Sequence, residues 1–168
     1  MADPHIKSPM DFWDYLTVII YRNGFVLAAI MLLLLPFQSS MAQVGLLIAG
    51  TMLASSLHLY LKNFRYLFQF VMWIGLLCQV WKIESLAFGA SLMVIGGLCY
   101  KEYFCFRVWG LNFQPILLAV LWLAVVLQIS WLFLPLAILC SILTLFLSVQ
   151  KWRMPLHFDI GDKGKYQV

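Results

Sequence analysis

The chain has 168 residues, 64% of them hydrophobic and 11% charged, with a mean hydropathy of +0.92. Water-soluble domains carry charge on about a quarter of their residues, so this composition excludes a soluble globular protein and predicts an integral membrane protein. The formal net charge of +4 comes as scattered pairs with no dense basic run or nucleic-acid motif, which excludes nucleic acid as a partner.

The first predicted element is a helix over residues 8–21. Ser8-Pro9-Met10-Asp11 has the form of a helix start, with Ser8 as cap and Pro9 in the first helical position. Phe12, Trp13, Leu16, Ile19 and Ile20 recur on one face, with Asp11 and Asp14 off it. That is the pattern of an interfacial helix lying on a membrane. Residues 1–24 are thus expected to form a cytoplasmic amino-terminal segment, leading through Arg22-Asn23-Gly24 into a short first span over 25–38. The small residues of Ser39-Ser40-Met41-Ala42-Gln43 also fit a signal-peptidase site, but a long polar region with Asp3, Asp11 and Asp14 precedes the span. A tight hairpin turn is the better reading.

Further spans are predicted over 44–61, 66–81 and 85–99, joined by Lys62-Asn63-Phe64-Arg65 and by a turn at Lys82-Ile83-Glu84. The longest basic connection, 100–114, follows. Residues 115–149 are apolar throughout, too long for one crossing and suited to two. Gln128 and Ser130 mark the turn between them, and Pro135 starts or kinks the last span. The expected architecture is all-α: a polytopic membrane bundle of about six transmembrane helices over 25–150, with an amino-terminal interfacial helix and a tail over 151–168.

Of eleven Lys and Arg residues, ten then fall on one side of the membrane, and only Lys82 falls on the other. Basic connections stay cytoplasmic, which places both termini there. Lys and Arg at helix ends also attract anionic headgroups, making membrane lipids expected partners. Cys78, Cys99, Cys105 and Cys140 form no CxxC pair, and most read as small core residues.

No Asp, Glu, Lys, Arg or His occupies the middle of a predicted span, although ion paths and proton relays need such groups. His58 is the deepest ionisable side chain. Gly50, Ala54 and His58 lie four apart, so a smooth small-residue stripe leads to the imidazole. Such a stripe suits helix packing, and it also suits a tetrapyrrole with His58 as axial ligand. Lys101-Glu102-Tyr103-Phe104-Cys105-Phe106-Arg107 is the densest run of reactive side chains. A polar cluster of His58, Arg65, Lys101, Glu102, Cys105 and Arg107 is expected at the cytoplasmic rim, with His58 and Glu102 paired. Cys105 would be a nucleophile only beside a base, and no hydrolase, zinc-protease or phosphate-loop motif appears. No metal site and no enzymatic activity are expected.

Leu57-His58-Leu59-Tyr60 and Tyr100-Lys101-Glu102-Tyr103-Phe104-Cys105-Phe106 resemble a family of uncharacterised integral membrane proteins, best known from cyanobacteria and catalogued as a domain of unknown function. The resemblance covers about 21–152, with Tyr103 where the family more often has a small residue. It implies a multi-spanning protein of a plasma or thylakoid membrane, without an established activity. The preferred function is a small membrane scaffold or assembly partner for other membrane proteins, photosynthetic complexes among them. A small-molecule transporter or a tetrapyrrole-binding protein is the alternative, and a membrane enzyme using Glu102, Cys105 and His58 ranks behind both.

Overall fold

A computed structural model describes residues 9–166 of the chain. It is all-helical, with no strand among the described residues. Six longer helices, α1 (Phe12–Leu34), α2 (Ser39–Ser55), α3 (Lys62–Val80), α4 (Glu84–Phe106), α5 (Gln114–Val126) and α6 (Ser130–Arg153), precede a single turn, α7 (His157–Ile160). Helix α4 is central, packing against α2, α3, α5 and α6, while α1 lies between α2 and α6. Two helices, α1 and α6, are long and apolar enough to cross a bilayer; α2 and the segment Leu111–Val126 are apolar but shorter.

The separate surface helix and first span expected over 8–21 and 25–38 are one helix, so the expected domain boundary at residue 24 falls inside α1. Arg22-Asn23-Gly24 does not break it. The Arg22 side chain is buried and paired within the protein, and Gly24 lets α2 approach, since a Cβ there would lie 2.8 Å from Leu53 Cγ. Asp11 caps α1, its backbone N–H donating to Asp14 at 2.8 Å, while the expected cap Ser8 lies outside the described residues. The tail does not hang free either: α7 packs on α1.

The short connections close tightly through left-handed residues. Lys82 has φ 60 and Gln128 φ 56, and the next amide reaches back to close a Schellman turn, from Ile83 to Cys78 O and from Ile129 to Ala124 O, both at 2.8 Å. The α5–α6 turn thus falls where Gln128 and Ser130 marked it. Pro135 lies inside α6, which starts five residues earlier at Ser130. Helix α2 ends before the expected limit of 61. Ser55 and Ser56 hydroxyls both donate to Met52 O, local bonds that compete with continuation of the helix. His58 consequently sits in a non-helical connection over 56–61.

Polar side chains, most of them buried, tie helices together. Ser141 donates to Ala29 O at 2.7 Å, Trp122 to Ser85 O at 2.8 Å, and Gln114 to both Cys140 O and Thr144 Oγ1 at 2.9 Å. The outer faces are apolar: Phe70, Trp73, Val80 and Trp81 on and just after α3 are each more than three-fifths exposed. A surface so apolar matches lipid and not water.

Helices α3 and α4 meet through Gly75, where an added Cβ would sit 2.8 Å from Ala90 Cβ. An alanine methyl cannot swing aside, so the backbones must separate. Gly75→Ala is expected to lower stability by about 1–3 kcal/mol, read as a lower midpoint of thermal unfolding in detergent, while Ala90→Gly in the same chain restores part of the loss.

Candidate functional site

Three helices carry their buried stripes into charge at one end of the bundle. On α1 the run Val18, Tyr21, Arg22, Phe25 is buried; on α4, Ile95, Leu98, Cys99, Glu102; on α6, Thr144, Leu147, Ser148, Lys151. The 3.6-residue period that points these apolar residues inward points the charged ones inward too. Helix α4 reaches this depth because it continues to Phe106 instead of giving way to a loop at residue 100.

The charges satisfy one another in a chain. Lys101 bonds to Glu102 Oε1 at 2.9 Å, and Lys151 approaches Glu102 Oε2 at 3.0 Å. Lys151 also bonds to Asp159 Oδ1, and Asp159 Oδ2 accepts from Arg22 Nε at 2.6 Å. The Tyr21 hydroxyl donates to Glu102 Oε1 at 2.8 Å. The remaining guanidinium nitrogens of Arg22 donate to the carbonyls of Met154 and Pro155, at 2.8 and 2.9 Å. Arg22, Lys151 and Glu102 are at most 2% exposed. Aromatic rings complete the sheath, with Lys151 Nζ 4.9 Å from the Tyr21 ring centre and 5.3 Å from that of Phe106.

Beside this network lies a cavity of about 560 Å³, lined at its polar end by Arg22, His58, Lys101, Glu102 and Asp159. Its walls are apolar, with Leu61, Phe64, Phe104, Phe158 and Ile160 prominent. Leu61, Phe64, Phe104 and Cys105 are exposed lining residues on α3 and α4 and just before α3, and Met154 is exposed on the tail. The first four mark the mouth, between the start of α3 and the end of α4. Residues 154–160 form another wall, held down by Arg22 and Lys151 through Asp159. Farther out, Lys163 pairs with Asp14, and Tyr60 stacks edge-on with Tyr166 at 5.0 Å.

The expected rim cluster is therefore only partly assembled. His58, Lys101, Glu102 and Cys105 share the cavity. Arg65 instead lies 6.0 Å from the Tyr166 ring centre, and Arg107 is exposed, with φ 47 at the end of α4. The expected His58–Glu102 pair does not form. Both oxygens of Glu102 are taken by Tyr21, Lys101 and Lys151, whereas His58 Nε2 is buried without a hydrogen-bond partner. The reason is that an ammonium already inside the bundle supplies the counter-charge that the imidazole was expected to give. Nor does His58 end a smooth helical stripe, because α2 has stopped and Gly50 packs against Met72 and Ser91. Tyr21, Arg22, Lys151 and Asp159 were not predicted members. Their inward stripes were visible in the sequence on three of the four, but Asp159 arrives from the tail, which no periodicity announces.

A neutral imidazole can donate or accept through Nε2. Among the described residues no three His, Cys, Asp or Glu side chains gather as a metal site, and a flat cofactor ligand through His58 would have to enter at the mouth.

Residues 80–168 match a family model described as "Uncharacterized integral membrane protein (DUF2301)". The chain is also 58% identical, over 168 residues and 100% of both chains, to a protein of Haemophilus influenzae described as "Uncharacterized protein". No solved structure matches it. A membrane location agrees with the family description; a relative from Haemophilus gives no support to a cyanobacterial source or a thylakoid membrane.

Proposed function

The chain belongs to a family of uncharacterised integral membrane proteins, and from that premise we propose a bacterial plasma-membrane protein that crosses the bilayer six times, keeps both termini in the cytoplasm, and binds a small amphipathic molecule in the cavity at its cytoplasmic rim. The observation that carries this reading is the cavity itself: buried charges, the His58 ring and apolar walls line it. That combination of mostly apolar lining with a few placed polar groups is what small-molecule sites offer. The irregular backbone of residues 56–61 supports it further, because non-helical chain at membrane depth is tolerated where it lines a cavity. The same connection extends α2, which at 17 residues is shorter than the roughly 20 needed to span alone.

No catalytic step is proposed. The carboxylates are engaged by cations, which leaves none free to act as a general base.

A second reading, an assembly partner for other membrane proteins, is favoured by the end of α4 and the turn after it. Phe104 and Cys105 on the helix and Arg107 and Trp109 beyond it are exposed, Trp109 at 92%, and aromatic and Arg side chains are the usual anchors of protein interfaces.

The orientation is checked with a reporter active only outside the cytoplasm. Fused after Gln43 or Glu84 it should be active, and after Arg65 or Arg107 silent, as ten basic residues against one require; the reverse pattern would overturn the topology.

Binding is checked by native mass spectrometry of the full chain extracted from its own membranes in mild detergent. One retained amphiphile per chain is expected, reduced when Leu61→Trp and Phe64→Trp narrow the mouth. Stoichiometric membrane proteins in its place would favour the second reading. A bare chain, in extracts where neither is retained, would refute both.

A further inference from the structure

The cavity's polar end carries more positive than negative charge. Each carboxylate oxygen there already has a cationic or hydroxyl partner: Glu102 Oε1 accepts from Tyr21 and Lys101, Glu102 Oε2 faces Lys151, and Asp159 gives one oxygen to Lys151 and one to Arg22. A cationic headgroup would have to share these oxygens and lie against the like charge already bound to them. The cations are three, Arg22, Lys101 and Lys151, against two carboxylates, so the group carries one positive charge beyond neutrality.

That surplus is not spread evenly. Arg22 and Lys151 are enclosed, each bound to two or more partners. Lys101 has one carboxylate partner, shares that oxygen with Tyr21, and is 28% exposed while lining the cavity. Two of its three ammonium N–H bonds are unassigned. His58 lines the same space, and its Nε2 is buried without a partner. A buried polar atom left unsatisfied is unfavourable, so a turn of the ring toward an acidic oxygen held by Lys101 would be favoured. Beyond them the walls run out through Leu61, Phe64 and Phe104 to the mouth, where an apolar chain would lie.

Resting on the reading of this cavity as a binding site, we propose that its ligand is a single-chain anionic amphiphile, whose carboxylate or phosphate monoester headgroup is held by Lys101 and His58 and whose chain lies along the apolar wall toward the mouth. Charge-assisted hydrogen bonds to an ammonium are among the stronger ones available, and each methylene removed from water adds to affinity. The headgroup sets the sign, and the wall sets the need for a chain.

The test uses the purified full chain in a nonionic detergent, with binding read from quenching of its tryptophans and from thermal stabilisation. The probes are oleate and lysophosphatidate as anionic amphiphiles, monoolein as a neutral one, dodecyltrimethylammonium as a cationic one, and acetate and inorganic phosphate as chain-free anions. Oleate or lysophosphatidate should bind at least tenfold more tightly than monoolein, and the better of the two identifies the headgroup. Acetate and phosphate should bind weakly or not at all; if phosphate alone matches lysophosphatidate, the site takes free anions and the amphiphile is wrong. Lys101→Gln should weaken the anionic probes at least tenfold and leave monoolein unchanged, while Lys101→Arg retains most of the affinity and shows that loss is not misfolding. Monoolein or the cation binding as well as oleate would overturn the charge selection yet leave the binding site standing. No binding by any amphiphile would remove the site as well.

Discussion

The chain of buried charges from Arg22 through Asp159, Lys151 and Glu102 to Lys101 is the interaction on which the rest of this structure depends. It joins α1, α4, α6 and the tail at one depth. Arg22, Lys151 and Glu102 are too deeply enclosed to be rescued by water. Removing one partner from a buried pair costs about 3–5 kcal/mol, because the other is left as an uncompensated charge. A network of this kind is weak evidence for extra stability, since well-packed apolar residues often do as well. Its consequence here is geometric: it fixes the helix ends around the cavity and pins residues 154–160 as one of its walls.

Elsewhere the bundle is held by shape. Helices in apolar surroundings gain little from hiding apolar surface, so close packing and a few interhelical hydrogen bonds carry the association. Gly24 against Leu53 and Gly75 against Ala90 bring backbones together, and the bonds from Ser141 to Ala29 and from Trp122 to Ser85 cross between helices. The outward faces keep large apolar side chains. The interior therefore holds the polar atoms and the small residues, an arrangement suited to lipid on the outside.

The cavity is a product of the same constraints. Helix α2 stops at Ser55 because serine hydroxyls take the Met52 carbonyl, and α4 runs on to Phe106. One helix ends early beside another that ends late. The space between them is closed by the connection over 56–61 on one side and the tail on the other, so an accident of helix length becomes a pocket with a charged floor. His58 owes both its burial and its missing partner to this arrangement.

How much could be read in advance follows from the range of each force. Hydropathy, charge distribution and turn residues act along the chain, and they determined the all-helical class, the turns at Lys82 and Gln128, and the two helices within 115–149. Lys101, Glu102 and His58 were legible as members of one site because they lie at the ends of alternate apolar stretches, which return to the same side of the membrane. The merger of residues 12–34 into one helix was not legible, since a lone arginine within an apolar run reads as a boundary until its counter-ion is known. That counter-ion is Asp159, 137 residues away. Pairing is a matter of proximity across the fold, and local pattern carries no record of it. The sequence by itself determined which residues must avoid water and which must stay charged; only the tertiary structure decided that Glu102 would take Lys151 in place of His58, because desolvated charges choose the nearest opposite charge that packing brings within reach.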